Sequence, residues 1–118
     1  MKVLLVDDDL DVRSLLKMLL MSQGHEITEC SNGMSALQTY QEDSFPLLIV
    51  DWELGDIDGI QLCRQIRELP NGDECVIMMF TGRSSSEDLQ RILDSGADDY
   101  LQKPVDIKIG RASCRKRV

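Results

Sequence analysis

Short apolar runs alternate along this chain with segments in which apolar residues recur every three or four positions. Such alternation of strand-length runs with helical periodicity is typical of βαβ units and a parallel sheet. The predicted strands are Lys2–Val6, Glu26–Cys30, Leu47–Asp51, Cys75–Phe80 and Tyr100–Gln102. The predicted helices are Leu10–Ser22, Met34–Gln41, Ile60–Leu69, and one that opens with the capping-box spacing Ser84-x-x-Glu87 and ends at Gly96. The pattern predicts one α/β domain, a (βα)5 doubly wound parallel sheet.

The distribution of apolar residues also predicts which surfaces are buried. Strand Glu26–Cys30 is partly polar and is expected at a sheet edge, whereas Cys75–Phe80 is nearly all apolar and is expected to be buried on both faces. The first helix should bury one stripe, and the fourth should turn three residues inward. These expected inward residues are Val12, Leu15, Leu16, Leu19 and Leu20, then Leu89, Ile92 and Leu93.

Length and composition place the chain among ordinary globular domains. It has 118 residues, of which 42% are hydrophobic and 29% are charged. No apolar run approaches the ~20 residues that a transmembrane helix needs, and Met1-Lys2 leads directly into a strand without a signal-peptide pattern. A cytoplasmic location is therefore expected, without membrane association.

The cysteines and the single histidine offer little catalytic chemistry. Cys30, Cys63, Cys75 and Cys114 form no CxxC pair, and we expect small buried thiols kept reduced. His25 follows Gly24 at a predicted helix end and is expected in a surface turn.

Charge is distributed unevenly. Residues 1–107 hold eight basic and 21 acidic side chains, a net charge of −13, whereas residues 108–118 are basic without an acid. So acidic a body would repel phosphate backbones, which argues against nucleic acid as a ligand of this domain itself.

Polar side chains follow the apolar strands at four of their ends. Asp7 and Asp8 follow the first strand, Asp51 ends the third, Thr81 follows the fourth and Lys103 follows the fifth. Because ligands of open parallel sheets bind beyond the carboxyl ends of the strands, these residues are expected to converge on one site.

The aspartates have two interpretations. Asp7, Asp8 and Asp51 form the oxygen-rich set that Mg²⁺ prefers, and their crowded charges call for a cation. Alternatively, the acids from Asp7 to Asp9 only cap the first helix, where Asp is a favoured residue. Asp51 is harder to explain structurally, because a charge that ends an apolar strand needs a partner.

Thr81 and Lys103 extend the metal site to phosphoryl chemistry. A carboxylate such as Asp51 can form an aspartyl-phosphate, and a hydroxyl and an ammonium would stabilise the phosphoryl oxygens. Taken separately, Thr81 could be a helix cap and Lys103 an edge-strand charge.

The combined motif of Asp7-Asp8, Asp51, Asp58-Gly59, Thr81-Gly82 and Lys103-Pro104 resembles the receiver domain of two-component response regulators. The resemblance covers residues 1 to about 107 and implies a flavodoxin-like fold with strand order 2-1-3-4-5. It implies a phosphoacceptor at Asp51, charged by a sensor histidine kinase or a histidine phosphotransfer protein.

The resemblance also implies a role for each site residue. Mg²⁺ would be held by Asp8 and Asp51 directly, by Asp7 through water, and by the backbone carbonyl of Glu53. Thr81 and Lys103 would contact the phosphoryl group, and the roles of Thr81 and Tyr100 match the family's switch pair. Such a protein is a switch rather than an enzyme, limited to self-phosphorylation from small donors and self-dephosphorylation.

Three positions vary within the family or depart from its usual pattern. Gly55 stands where Pro is common, which predicts a more mobile loop after Asp51. Glu53 and Arg83 occupy variable positions, and we hypothesise that they pair across the mouth of the site, hinder the hydrolytic water and tune the lifetime of the phosphorylated state. The alternative is two solvated, independent side chains.

The end of the chain fits the pattern poorly. A fifth helix is expected after Lys103-Pro104, but residues 109–118 lose apolar period and carry only basic charges. They could form a weak helix or contact nucleic acid. They also resemble the conceptual translation of a sequencing adapter, so we interpret residues 108–118 as an incomplete or non-native tail. Leu16 and Leu19 would then be incompletely covered, and the domain destabilised or prone to self-association.

Two enzyme or cofactor classes compete with the switch. A haloacid-dehalogenase-type phosphatase also uses an aspartyl-phosphate and Mg²⁺, but it needs a second Asp where Glu53 stands. A flavodoxin-like cofactor binder needs a phosphate loop where this chain has three aspartates. Beyond the kinase, an output domain or a homodimer is a possible partner, and the regulated process is not encoded in these motifs.

Overall fold

The five strands form one parallel sheet in the order β2-β1-β3-β4-β5, which confirms the predicted fold class and strand order. The computed structural model describes residues 1–103. In these residues the elements are β1 (Lys2–Val6), α1 (Leu10–Met21), β2 (Glu26–Cys30), α2 (Gly33–Glu42), β3 (Leu47–Asp51), α3 (Gly59–Arg67), β4 (Val76–Thr81), α4 (Ser86–Asp94) and β5 (Asp99–Gln102). The expected fifth helix, Cys114 and the tail lie outside the described residues.

Alternating side chains divide the core between the two faces of the sheet. On one face, Val3, Leu5, Ile49 and Phe80 pack against α1. On the other face, Leu4 and its counterparts on β3 and β4 pack against α2, α3 and α4. This alternation follows from the period of two in a strand, and two helical layers cover the central strands as a parallel sheet requires.

Helix α1 is covered less well than its apolar spacing predicts. None of its residues is buried, and Leu19 is 50% exposed. Val12, Leu16 and Leu20 contact the sheet, but they are only partly buried. The expectation of a fully buried stripe is therefore wrong for Leu19, whose exposure agrees instead with the expectation that Leu16 and Leu19 are incompletely covered.

Helix α4 begins one residue later than the sequence predicts. Its N-cap is Ser85, whose hydroxyl accepts a hydrogen bond from the Asp88 amide at 3.1 Å, so the predicted capping box of Ser84 and Glu87 is wrong. Helix α4 buries Ile92 as expected, but Leu93 is 43% exposed because it lies on the side facing away from the sheet.

Other predicted features of the elements are confirmed. Strand β2 is at the edge of the sheet, and Cys30, Cys63 and Cys75 are free and buried. His25 lies in the turn after α1, where its Nδ1 is 3.2 Å from the amino group of Met1. Across residues 1–103, the structure contains no helix with the length and apolarity needed to cross a membrane.

Candidate functional site

The ends of β1 and β3 bring three carboxylates together. Val6 pairs with Val50, so Asp7 and Asp51 follow on neighbouring strands, and both are buried, with 1% and 6% of their surface exposed. Asp8 is exposed beside them, and one carboxylate oxygen from each of the three residues lies within 4.8 Å of the others. The predicted convergence of these aspartates is therefore present in the structure.

Lys103 reaches this cluster from the end of β5. Its ammonium lies 3.2 Å from Oδ1 of Asp51 and 3.3 Å from Oδ2 of Asp7. The backbone amide of Lys103 donates to the carbonyl of Thr81 at 2.6 Å, which fixes the end of β5 to the end of β4. One ammonium thus bridges two buried carboxylates.

The two bridged partners shift each other's ionisation. Burial, and then the charge of Asp7, raise the pKa of Asp51 to about 6, against the lowering effect of Lys103. Burial alone would lower the pKa of Lys103, but Asp51 and Asp7 raise it above its usual value. Lys103 is therefore cationic at neutral pH, and Asp51 takes up a proton at a higher pH than an ordinary aspartate does.

The arrangement fits a divalent cation. Asp7 Oδ1 accepts a hydrogen bond from the Asp9 amide at 2.9 Å, whereas its buried Oδ2, although near Lys103, accepts no well-directed hydrogen bond from residues 1–103. A buried carboxylate oxygen without such a partner is costly. Carboxylate oxygens at this separation suit Mg²⁺, which binds through a few carboxylates and retains waters.

The capping interpretation holds for a different aspartate. Asp9 is the N-cap of α1, and its Oδ1 accepts from the amides of Asp11 and Val12. Asp7 and Asp8 belong to the acidic cluster instead. The two interpretations of this acidic run therefore apply to different residues.

Thr81 and Tyr100 lie on the last two strands of the sheet. Thr81 ends β4 and is buried, and its Oγ1 accepts a hydrogen bond from the Arg83 amide at 2.9 Å. Tyr100 lies on β5 opposite Met79, is half-buried, and packs against the core. Thr81 thus reaches the same edge as the aspartates, and Tyr100 lies one strand further out.

Glu53 and Arg83 form the ion pair that the sequence analysis hypothesises. Nη2 and Nε of Arg83 lie 2.9 and 3.1 Å from Oε2 of Glu53, so the alternative of two independent side chains does not describe the structure. The guanidinium of Arg83 also lies 4.2 Å from the centre of the Trp52 ring. Sequence reasoning missed Trp52, although a lone tryptophan directly after Asp51 was the available signal.

The loop between β3 and α3 is fixed by its own acidic residues. Asp58 caps α3 by accepting from the Gln61 amide, and a Cβ on Gly59 would lie 2.5 Å from the carbonyl oxygen of Asp51, so Gly59 must remain glycine. Asp56 accepts from two amides at the start of α2. This role of Asp56 could not be predicted from the sequence, because its partners are far away in the chain.

Known proteins resemble this chain over nearly its whole length. The response regulator receiver domain family model matches residues 3–113. An uncharacterized 14.6 kDa protein in the sodA1 3′ region of Leptolyngbya boryana is 39% identical over 106 residues, which cover 90% of this chain and 81% of that protein. Response regulator MprA of Mycobacterium leprae (strain TN) is 38% identical over 104 residues, 88% of this chain but only 45% of that protein.

A solved structure shares the fold. The receiver domain of sensor histidine kinase PA1611 from Pseudomonas aeruginosa PAO1, with a magnesium ion coordinated in its active-site cleft, has a TM-score of 0.82 and 26% identity. The match covers 93% of this chain and 90% of that chain. These relatives support the receiver interpretation and give no support to the phosphatase alternative.

Proposed function

Because the chain belongs to the response regulator receiver domain family, signalling switches that are phosphorylated on an aspartate, we propose that Asp51 is the phosphoacceptor here. The supporting observation is the position of Asp51 at the end of β3, between the buried carboxylate of Asp7 and the ammonium of Lys103. Asp7 also lies beside Lys103, but it is less exposed than Asp51, at 1% against 6%, and its Oδ1 already accepts from the Asp9 amide.

The proposed reaction transfers a phosphoryl group to a carboxylate oxygen. An oxygen of Asp51 attacks phosphorus and forms the new P–O bond, while the bond from phosphorus to the donor breaks. With a phosphohistidine donor, the electron pair of the P–N bond remains on the imidazole nitrogen. The pKa of Asp51, about 6, leaves the carboxylate mostly ionised and able to attack at neutral pH.

We further propose that the acidic cluster holds Mg²⁺. The residues that would hold it are Asp8 and Asp51 directly, Asp7 through water, and Glu53 through its backbone carbonyl. When bound, Mg²⁺ neutralises charge on the transferring phosphoryl oxygens. The oxygen spacing, the excess of negative charge and the magnesium ion in the PA1611 receiver domain support this assignment.

Lys103 and Thr81 complete the proposed site. Lys103 releases Asp7 or Asp51 to contact a phosphoryl oxygen, since its ammonium already lies within 3.3 Å of both carboxylates. The hydroxyl of Thr81 donates a hydrogen bond to the phosphoryl group. The movement of Thr81 towards the phosphoryl group displaces the loop that follows β4. We propose that half-buried Tyr100 responds to this movement and changes the surface around β5.

The Glu53–Arg83 pair tunes the lifetime of the phosphorylated state. Both side chains are partly exposed, and the guanidinium of Arg83 lies over the ring of Trp52. We propose that the pair covers the approach of the hydrolytic water to Asp51. The variable residues would thereby set the rate of dephosphorylation without taking part in phosphoryl transfer.

The proposed donor is a sensor histidine kinase or a histidine phosphotransfer protein, and the receiver acts as a switch rather than as an enzyme with its own substrate. The chain spans 81% of its Leptolyngbya relative but only about half of MprA. The remaining half of MprA is long enough to contain an output domain. A cytoplasmic location suits the free thiols of Cys30, Cys63 and Cys75.

Incubation with acetyl phosphate and Mg²⁺ tests the phosphoacceptor. We expect the intact protein to gain the mass of one phosphoryl group, and Asp51→Asn to gain none. Borohydride reduction of the product followed by peptide mass spectrometry should place homoserine at position 51.

The matched control is Asp73→Asn, which removes an exposed carboxylate that precedes β4, at the edge of the sheet opposite to Asp51. It should be phosphorylated like the natural sequence. Continuous release of phosphate without a stable adduct would favour a phosphatase, and modification that persists in Asp51→Asn would reject Asp51 as the acceptor.

A further inference from the structure

The loop of residues 52–58 is tied to the first turn of α2 by Asp56. Its Oδ1 accepts a hydrogen bond from the Gly33 amide and its Oδ2 accepts one from the Met34 amide, both at 2.8 Å. Amides of a first helical turn have no partner within the helix, and a carboxylate there also interacts favourably with the helix dipole. The carboxylate therefore uses both oxygens to join a loop to a helix that lies more than 20 residues earlier.

Side-chain packing reinforces this contact. Gly33 is buried, and a Cβ at this position would collide with Cγ1 of Ile57, the residue after Asp56. The backbone at the start of α2 therefore approaches the loop as closely as a glycine allows. Asp56 and Ile57 together hold the loop to this helix.

Between Trp52 and Asp56 the loop is held mainly by side chains, since Glu53 pairs with Arg83 and Leu54 packs against the core. A Cβ on Gly55 would meet no atom within 4 Å, so open space surrounds this residue and its glycine adds conformational freedom without a steric need. The Glu53 amide lies 3.4 Å from Oδ1 of Asp51, which is long for a hydrogen bond. Of the loop's two acidic residues before Asp58, Glu53 contacts the side chain of Arg83, whereas Asp56 accepts from the backbone of a helix.

We propose that Asp56 is a positioning residue for the cation site. By bonding α2, it fixes the loop so that the backbone carbonyl of Glu53 faces Asp8 and Asp51. This inference rests on the proposed function, because it assumes that these groups hold Mg²⁺. Asp56 itself lies outside the acidic cluster and acts only through the backbone of the loop.

The first test compares Mg²⁺ affinity in Asp56→Ala and in the natural sequence. Groups that bond metal ligands directly typically contribute 10–100-fold to metal affinity. Asp56 does not bond a ligand and acts only through the loop backbone, so we expect ~3- to 10-fold weaker Mg²⁺ binding in Asp56→Ala. Emission of Trp52, the only tryptophan, and the rise in thermal unfolding midpoint with Mg²⁺ provide two independent titrations. Asp56→Asn keeps an oxygen for one amide and should fall between the two.

The second test needs no metal. Hydrogen exchange at the Gly33 and Met34 amides should accelerate in metal-free Asp56→Ala, because both amides lose their acceptor. Adding Gly55→Ala to Asp56→Ala should recover part of the Mg²⁺ affinity, since alanine restricts the loop where space is open.

Two control variants separate positioning from stability and from charge. Asn32→Ala removes the N-cap of α2, whose side chain accepts from the Ser35 amide, and should lower stability but leave Mg²⁺ affinity unchanged. Asp58→Asn removes a negative charge from the same loop but retains a capping side chain. Measured at about 0.5 M salt, where long-range charge effects are screened, it should bind Mg²⁺ like the natural sequence.

The outcomes distinguish this inference from the proposed function. If the natural sequence binds Mg²⁺ and is phosphorylated, but Asp56→Ala binds equally well, Asp56 has no positioning role. Equal losses in Asp56→Ala and Asp58→Asn would also overturn it, since charge alone would then explain the effect. Failure of the natural sequence to bind Mg²⁺ or to be phosphorylated would instead reject the proposed function.

Discussion

At Asp51 the fold buries a carboxyl group in surroundings that disfavour its ionised form. Its carboxylate is nearly removed from water and lies beside a second buried carboxylate, and together these effects raise its pKa to about 6. In the unfolded chain an aspartate titrates near 3.9. The folded protein therefore binds the proton more tightly than the unfolded chain does, and it loses stability as pH rises from about 4 through 6.

This ionisation predicts a pH-dependent effect of Asp51→Asn on stability. Without Mg²⁺ at pH 8, the variant should be more stable than the natural sequence by ~1–3 kcal/mol, because it no longer carries the buried charge. The difference should shrink as pH falls through 6 towards 4, where Asp51 is protonated in the folded protein. Urea unfolding at both pH values measures it, with Asp73→Asn as the control. A difference that stays constant with pH would contradict this explanation.

The Glu53–Arg83 pair predicts a modest kinetic effect. Arg83→Ala should shorten the lifetime of the phosphorylated state by ~2- to 5-fold, because a partly exposed ion pair contributes less than about 1 kcal/mol. Arg91→Ala is the matched control, since Arg91 also lies over Trp52, at 5.1 Å, but contacts Asp88 rather than Glu53. Phosphate release after removal of the donor measures both rates. An unchanged rate in Arg83→Ala would refute the role of the pair.

Among the elements, strands are easier to predict from sequence than helix ends. The predicted bounds of β1, β2 and β3 agree with the structure, because apolar runs define β1 and β3, and turn residues flank the partly polar β2. The start of a helix depends on which of several neighbouring polar side chains accepts a hydrogen bond from an unpaired amide of the first turn. The cap that Asp56 provides for α2 could not be predicted, since it depends on a loop that only the tertiary fold brings near.

Helix α4 provides a direct test of this difference. Ser85→Ala should destabilise the domain by ~1 kcal/mol, because Ser85 accepts from the Asp88 amide, whereas Ser84→Ala should change stability by only a few tenths. Denaturant midpoints of the two variants decide between the caps. If Ser84→Ala were the more destabilising variant, Ser84 and not Ser85 would be the N-cap, as the capping-box spacing of the sequence suggests.

For the molecule as a whole, convergence of the site could be predicted, but its internal contacts could not. Parallel strands must bring Asp7, Asp51 and Lys103 to one edge of the sheet, so their meeting follows from topology. The contacts of Arg83 with Glu53 and with the Trp52 ring depend on loop conformations, which the periodicity of the sequence does not encode. The topology of the sheet therefore determines which site residues meet, whereas the packing of the loops determines which contacts the neighbouring side chains make.

Because of its excess negative charge, we expect the stability of the whole domain to depend on a cation. Residues 1–107 carry a net charge of −13, and three carboxylates of this set share one small volume with a single ammonium beside two of them. A cation that binds only the folded state stabilises it by RT ln(1 + [L]/Kd), so Mg²⁺ at ten times its dissociation constant should add ~1.4 kcal/mol. Thermal unfolding in Mg²⁺, compared with NaCl of equal ionic strength, measures this effect and removes general screening. The increase should be much smaller in Asp51→Asn, which lacks one of the charged ligands. An equal increase with NaCl would show that Mg²⁺ acts only by screening the acidic surface, rather than by occupying the site at the strand ends.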